Sequence, residues 1–172
     1  MTQKLVPLAR AFALNAHKDQ KYGKLPYEFH LRAVVAAMPN YSSDEAVAAA
    51  WLHDTVEDTE TTLHDIRQAF GGKVARLVDA VTDEPGPNRA IRKEGMYKKL
   101  AVAPPEARAV KLADRFANMK ASIENPKKGA MYLKEFPDFM RKVAVDTENS
   151  LIIVSLYQLF MDALEANEAS EP

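Results

Sequence analysis

Apolar residues recur at intervals of three and four along nearly the whole chain, which is the spacing of one buried helix face. Near the N-terminus the pattern is carried by Leu5, Leu8, Phe12 and Ala16, and we expect that helix to end before Gly23. No segment of the sequence alternates apolar and polar residues in the way that a half-buried strand does. The pattern therefore predicts an all-α protein.

Capping residues, prolines and glycines divide the rest of the chain into further helices, giving roughly eight in all and no obvious domain boundary. These helices are predicted over residues 27–38, 44–56, 62–70, 73–81, 89–102, 105–120, 130–142 and 146–164. We expect one domain over residues 1–165, followed by a frayed acidic tail over residues 166–172.

The chain has 172 residues, of which 47% are apolar and 27% charged, a balance typical of one globular domain. Its net charge of −1 argues against a nucleic-acid-binding protein, because such domains usually carry a clear basic excess. The apolar run at residues 151–157 is too short to span a membrane, and the N-terminus does not resemble a signal peptide. We therefore expect a cytoplasmic protein whose partner is a small molecule, and the sequence favours no particular oligomeric state.

Any metal ion in this protein must be held by histidine, carboxylate, carbonyl or water ligands, because the chain has no cysteine. Such residues concentrate in the segment WLHDTVED at positions 51–58. If one helix continues through this segment, His53 and Asp54 lie one turn before Glu57 and Asp58 on a shared edge. Adjacent imidazole and carboxylate groups suit Mn²⁺, Mg²⁺ or Fe²⁺. Taken alone, the His-Asp pair is equally compatible with a polar helix end in solvent.

Two distant residues strengthen the metal-binding interpretation. His30 lies upstream on a separate predicted helix, and Asp114 lies downstream within the apolar segment 109–118. A carboxylate in such a helix is costly to bury unless it is paired or binds a metal ion. The alternative is a surface pairing of Asp114 with Lys111 or Arg115. Asn118 follows Asp114 by one turn on the same helix face.

A first histidine, a His-Asp pair and a distant aspartate, in this order, resemble the HD superfamily of metal-dependent phosphohydrolases. The resemblance extends to the hydrolase domain of the RelA/SpoT alarmone enzymes, including the stand-alone metazoan SpoT homologues, and covers about residues 5–160. It is carried by residues 26–30, 50–59, 70–72, 77–82 and 110–118. It implies that four residues together ligate one divalent cation, which we take to be Mn²⁺: His30, His53, Asp54 and Asp114.

The same resemblance implies roles for residues around the metal ion. Glu57 and Asp58 would position or deprotonate the attacking water. Substrate contacts would come from Lys111, Asn118 and Tyr132. Each role has a plainer alternative, namely a helix-end charge, a solvated lysine, a helix-terminal amide or a core tyrosine.

The sequence departs from the family pattern in one loop. Where the family holds an Arg-Lys pair near the base and phosphates, this chain has Tyr22 and Gly23. Lys21 or Lys24 would then supply the missing charge from a neighbouring position, unless both are solvated loop lysines. Without a guanidinium group to stack on a purine, base selectivity is open. His17 matches the family and is expected to be structural or to lie at the surface.

The activity implied by the resemblance is removal of the 3′-pyrophosphate from guanosine tetra- or pentaphosphate, giving GDP or GTP, by a domain that stands alone. One alternative is an enzyme that prefers (p)ppApp, and another is a different HD nucleotide phosphohydrolase, such as an NADPH 2′-phosphatase. A third is a non-catalytic nucleotide sensor. Retention of the four ligands together with Glu57 and Asp58 argues against the sensor.

Overall fold

The computed structural model describes residues 4–40, 42–122, 125–143 and 150–168 of the chain. The helices are α1 (Leu5–Ala16), α2 (Glu28–Ala37), α3 (Asp44–Leu52), α4 (Thr55–Asp58), α5 (Leu63–Val81), α6 (Arg89–Val102), α7 (Pro105–Ser122), α8 (Pro126–Val143) and α9 (Ser150–Glu168). Two short strands, β1 (Lys21–Tyr22) and β2 (Leu25–Pro26), form an antiparallel pair. The all-α prediction is confirmed, since eight of the described helices have at least nine residues and α4 is a single turn.

Two predicted segments fall partly outside this description. Residues 146–149 of the predicted last helix and residues 169–172 of the predicted tail lie outside the described residues. Within the described part, α9 extends to Glu168, a little beyond its predicted end. No helix among the described residues is long and apolar enough to cross a membrane.

Several helices begin or break where the sequence places capping residues and glycines. The Ser43 hydroxyl accepts a hydrogen bond from the backbone N–H of Ala46, which caps α3. Thr62 and Asp65 form a reciprocal capping box at the start of α5. Within α5, Gly71 has a φ of 86°, a conformation that favours glycine, and the kink there joins the two helices predicted over residues 62–70 and 73–81.

The helix α7 is the central element and packs against α2, α3, α5, α8 and α9. Its residues Val110 and Leu112 are fully buried, and burying a side chain of this size contributes roughly 1.5–3 kcal/mol. Lys111, Asp114 and Arg115 of the same helix are also buried. Because buried charges need partners, these three side chains mark the place where the fold builds a polar site.

A small β-hairpin between α1 and α2 was not predicted. Lys21 pairs with Pro26 and Tyr22 pairs with Leu25, while Gly23 adopts a φ of 63° in the connecting turn. Strands of two residues are too short to show an alternating pattern, which is why the periodicity did not reveal them. The hairpin sets the position from which Tyr22 reaches the site described next.

Candidate active site

The four residues predicted to ligate a metal ion converge from three parts of the chain. His30 comes from α2, His53 and Asp54 follow α3, and Asp114 comes from α7. The Nε2 atom of His53 lies 2.9 Å from Asp54 Oδ2 and 3.7 Å from Asp114 Oδ1. The Nε2 atom of His30 lies 3.3 Å from His53 Nε2, and it lies 3.4 Å and 3.5 Å from the same two carboxylates. His30, His53 and Asp54 thus form a group that could hold one metal ion, and Asp114 lies beside this group within 3.7 Å of both imidazoles.

The segment that carries His53 and Asp54 is a turn, and the expectation of one helix over residues 44–56 is wrong there. The helix α3 ends at Leu52, and α4 begins at Thr55. The Thr55 hydroxyl donates a hydrogen bond to the Leu52 carbonyl at 2.7 Å, and His53 Nδ1 lies 2.9 Å from the Ala50 carbonyl. These side chains satisfy the last carbonyls of α3 in place of further helical N–H groups. The shared edge inferred from helical spacing is thus replaced by a turn.

The chemistry of this cluster fits a divalent cation. Because His53 Nδ1 donates to the Ala50 carbonyl, Nε2 is the ring nitrogen that faces the two carboxylates and the one that would bind a metal ion. Burial opposes a charged imidazole, yet Asp54 and Asp114 outweigh burial and raise the pKa of His53 to about 10. Burial likewise opposes charge on both carboxylates, yet cationic neighbours hold their pKa values well below the usual range. Two largely enclosed carboxylates in one cluster attract positive charge, and a divalent cation bound there would supply it.

Hydrogen bonds from outside the cluster orient the two carboxylates. The Tyr27 hydroxyl donates to Asp54 Oδ2 at 2.5 Å. Asn118 Nδ2 donates to Asp114 Oδ1, also at 2.5 Å, and Lys111 Nζ lies 3.2 Å from Asp114 Oδ2. Such partners fix the direction in which a ligand presents its lone pairs. The cluster is therefore held in place by Tyr27, just before α2, and by residues of α7.

Two further carboxylates line the pocket beside the cluster. Glu57 accepts a hydrogen bond from the backbone N–H of Asp83 at 3.2 Å, and Asp58 accepts one from Gln20 Nε2 at 2.8 Å. Desolvation in the pocket and the nearby Asp83 carboxylate raise the pKa of Glu57. A carboxylate with a raised pKa is a better proton acceptor than an ordinary one.

Four cationic side chains line the same pocket: Arg89, Lys93, Lys111 and Arg115. Sequence reasoning identified Lys111 but missed Arg89 and Lys93, and it considered Arg115 only as a surface partner. The signal that it overlooked is the spacing of four residues between Arg89 and Lys93, and again between Lys111 and Arg115, which puts each pair on one helix face. Together these side chains form a site suited to phosphate groups.

The sequence matches the HD domain family over residues 9–136. The chain belongs to the HD-domain family. It is 30% identical over 161 residues to guanosine-3′,5′-bis(diphosphate) 3′-pyrophosphohydrolase MESH1 of Danio rerio. That alignment covers 88% of this chain and 89% of the relative. It is 34% identical over 128 residues to GTP pyrophosphokinase rsh of Brucella melitensis. This second alignment covers 70% of this chain and 17% of the longer relative. A solved structure of a metazoan orthologue of SpoT has the same fold, with a TM-score of 0.81, 22% identity and coverage of 94% of this chain and 97% of that one.

Of the five residues predicted to contact substrate in this HD domain, three line the pocket and two do not. Lys111, Asn118 and Tyr132 line the pocket. Lys111 is buried, contrary to the alternative of a solvated lysine. Lys21 and Lys24 are exposed on the hairpin and are not among the residues that line the pocket. The hairpin residue that does reach this region is Tyr22, one of the two positions at which the chain departs from the family pattern.

An apolar groove of about 420 Å³ adjoins the polar pocket of the HD domain. The two share His30, whose ring stacks on Tyr22 at a centroid distance of 4.8 Å. The Tyr22 hydroxyl donates to Asn118 Oδ1 at 2.9 Å, which links the groove to the cluster. Leu25 and Phe29 contribute exposed apolar surface to the groove. A ligand with a charged part and a flat apolar part matches this combination.

Proposed function

We propose that this HD domain is a metal-dependent hydrolase that removes the 3′-pyrophosphate from (p)ppGpp-type alarmones, giving GDP or GTP and pyrophosphate. The observation that carries the proposal is one pocket in which a two-histidine, two-aspartate cluster faces four cationic side chains. The name of the Danio rerio relative, a guanosine-3′,5′-bis(diphosphate) 3′-pyrophosphohydrolase, supports this reaction. We further propose that residues 1–165 act as one cytoplasmic domain on a small nucleotide.

In this proposal His30, His53, Asp54 and Asp114 hold one divalent cation, and we propose Mn²⁺. The set of two imidazoles and two carboxylates, without thiolates, suits a metal ion of this borderline-hard class. When bound, the ion lowers the pKa of a coordinated water and so supplies a nucleophile near neutral pH.

Glu57 and Asp58 then act on the attacking water. Glu57, whose pKa is raised, accepts a proton from the water, and Asp58 orients it. The water oxygen forms a bond to the 3′-linked phosphorus while the bond from that phosphorus to the 3′ oxygen breaks. The 3′ oxygen takes up the proton that Glu57 accepted and leaves as a free hydroxyl group, and the other product is pyrophosphate. General base catalysis of this kind contributes about 10²–10⁴-fold.

The basic side chains bind the pyrophosphate that is transferred to water. Lys93 and Lys111 act as point charges, whereas Arg89 and Arg115 offer planar forks that match phosphate oxygens. Lys111 also contacts Asp114, so the same lysine lies between the metal cluster and the phosphates. The nucleoside would extend into the apolar groove beside Tyr22.

A preference for (p)ppApp is the second candidate, and the observation that favours it is the ring of Tyr22 at the groove. An aromatic ring stacks on either purine, whereas the guanidinium group expected from the family is missing at this position. NADPH, which carries a 2′-phosphate, is the third substrate to test. Removal of that phosphate would release orthophosphate instead of pyrophosphate.

The test is to offer the purified protein ppGpp, pppGpp, ppApp and NADPH in parallel with Mn²⁺, and to separate the products by chromatography. We expect pyrophosphate from a 3′-substituted nucleotide, and no turnover by the Asp54→Ala variant. Release of orthophosphate from NADPH alone would replace the proposed reaction with a 2′-phosphatase activity. Absence of turnover with every substrate would favour a non-catalytic nucleotide sensor.

A further inference from the structure

His17 is a buried histidine outside the metal cluster, just after the end of α1. Its side chain is almost completely enclosed, with 3% of the residue exposed. Its ring stacks on Tyr27 with centroids 4.6 Å apart and 24° between the ring planes. Tyr27 is the residue whose hydroxyl donates to Asp54. His17 therefore lies directly behind the pocket, although no step described so far uses it.

A chain of hydrogen bonds joins His17 to the carboxylate of Asp58. His17 Nδ1 lies 2.5 Å from Gln20 Oε1, and Gln20 Nε2 donates to Asp58 Oδ2 at 2.8 Å. A carboxylate only accepts hydrogen bonds, so the Gln20 amide must turn its NH₂ group towards Asp58 and its carbonyl towards His17. His17 Nδ1 must then carry a hydrogen and donate it. His17 Nε2 is buried and has no hydrogen-bond partner among the described residues.

The backbone around Gln20 is fixed by its neighbours on both sides. Its N–H donates to the His17 carbonyl at 3.0 Å, and its carbonyl accepts from the Tyr27 N–H at 3.2 Å. The first bond lies in the turn that follows α1, and the second closes the base of the β-hairpin. A side chain anchored on such a backbone, and bonded at both ends of its amide, has little rotational freedom.

Asp58 needs such a tether because its side chain is exposed at the pocket rim. An exposed aspartate normally samples several rotamers, and only some of them face the attacking water. We propose that His17 is a positioning residue that acts through Gln20 to hold the Asp58 carboxylate towards the pocket, an inference that rests on the proposed role of Asp58 in hydrolysis. Small displacements of catalytic groups are costly in rate, since misplacement by one ångström costs about 100-fold.

The test compares three variants that differ in what they leave at the Nδ1 position. His17→Leu removes the donor, whereas His17→Asn places an amide N–H close to where Nδ1 lies. Gln20→Leu breaks the chain at a half-buried position, so it perturbs the core less than a change at residue 17. We expect kcat to fall roughly 10- to 100-fold in His17→Leu and in Gln20→Leu, with most of the loss recovered in His17→Asn.

Other measurements separate positioning from a general loss of structure. The KM for the nucleotide and the content of bound Mn²⁺ should stay at the wild-type values in all three variants, and circular dichroism should show the same helix content. Because His17 acts through Gln20, the double variant His17→Leu/Gln20→Leu should lose no more than either single variant.

Four outcomes would overturn the inference: an unchanged kcat in His17→Leu, an unchanged kcat in Gln20→Leu, an equal loss in His17→Asn and His17→Leu, or additive losses in the double variant. The wild-type protein serves as the internal reference, assayed on the nucleotides and on bis(4-nitrophenyl) phosphate. If the wild type hydrolyses none of these, the proposed function fails and the inference fails with it. If the wild type is active and His17→Leu keeps its kcat, only the inference fails.

Discussion

The pocket has two walls of opposite charge, and they are built in different ways. The acidic wall consists of the four proposed ligands with Glu57 and Asp58, and the basic wall consists of Arg89, Lys93, Lys111 and Arg115. The two walls meet on α7, where Lys111 and Asp114 are 3.2 Å apart. Carboxylates that attract a metal ion thus lie beside lysine and arginine side chains that attract phosphate. Attack of water on a phosphate group requires both kinds of side chain close together.

The two histidines of the acidic wall and Arg89 of the basic wall also differ in burial. His30 and His53 are each 2% exposed, and hydrogen bonds from Tyr27 and Asn118 orient the carboxylates beside them. In the basic wall, the Arg89 side chain is 39% exposed, and its partner is a carboxylate on α8. The proposed metal ligands of the acidic wall are therefore organised before a ligand binds, whereas Arg89 of the basic wall can exchange its protein partner for a phosphate group.

The largest effect is expected from breaking the acidic wall. Asp114→Ala removes a proposed ligand and leaves the buried Lys111 without its closest carboxylate. Losing the metal ion forfeits several kcal/mol of transition-state stabilisation, so activity should fall roughly 1000-fold or more. Metal analysis of the purified variant should show loss of Mn²⁺ in parallel.

Asp138→Ala is the matched control for that variant. Asp138 is an exposed carboxylate paired with Arg141 on α8, and it does not line the pocket. It should keep both activity and metal content. Full activity in Asp114→Ala would show that the acidic wall does not hold the ion through α7.

The two walls differ as well in how far the sequence predicted them. His30, His53, Asp54 and Asp114 were predicted as ligands because their residue types and order match a known ligand pattern, and the fold brings them together. The helix break at Leu52 was missed, because hydrophobic spacing does not report that the side chains of His53 and Thr55 bond to helix carbonyls.

The basic wall was harder to predict for a physical reason. Arg89 and Lys93 belong to a helix rich in polar residues, and such a pattern predicts side chains exposed to solvent. Lys93 is largely enclosed, and its Nζ atom lies 3.0 Å from the carboxylate of Asp83 in the preceding loop. That pairing depends on how α5 and α6 meet in three dimensions. Lys21 and Lys24, one of which was predicted to supply the charge missing where the chain departs from the family pattern, are both exposed on the hairpin.

An intermediate effect is expected from changing the basic wall. Lys93→Ala removes one cation from the pocket, and a hydrogen bond to a charged group is worth about 1.5–3 kcal/mol, so KM should rise roughly 10- to 100-fold. Lys24→Ala is the control, and we expect its KM to match the wild type. Steady-state kinetics on the same nucleotide decide between the two lysines. A rise in KM for Lys24→Ala with none for Lys93→Ala would restore the interpretation drawn from the family pattern.

The smallest effect is expected at Glu135, the residue that holds both arginines of the basic wall. It accepts hydrogen bonds from Arg89 at 2.8 and 3.1 Å and from Arg115 at 3.3 Å. Burial alone would raise the pKa of Glu135, but the two guanidinium groups outweigh it and hold the pKa below its ordinary value. The charged carboxylate therefore competes with phosphate for the arginines.

Glu135→Gln removes that competing charge while keeping the shape of the side chain. Partly exposed ion pairs are worth about 0.2–1 kcal/mol, so KM should fall up to about fivefold, and inhibition by pyrophosphate should strengthen to match. Glu94→Gln, which breaks an exposed pair with Lys142 outside the pocket, should change neither value. A rise in KM for Glu135→Gln would mean that the arginines need the carboxylate to hold their positions. The basic wall would then be organised in advance like the acidic wall, and the contrast between them would be one of charge alone.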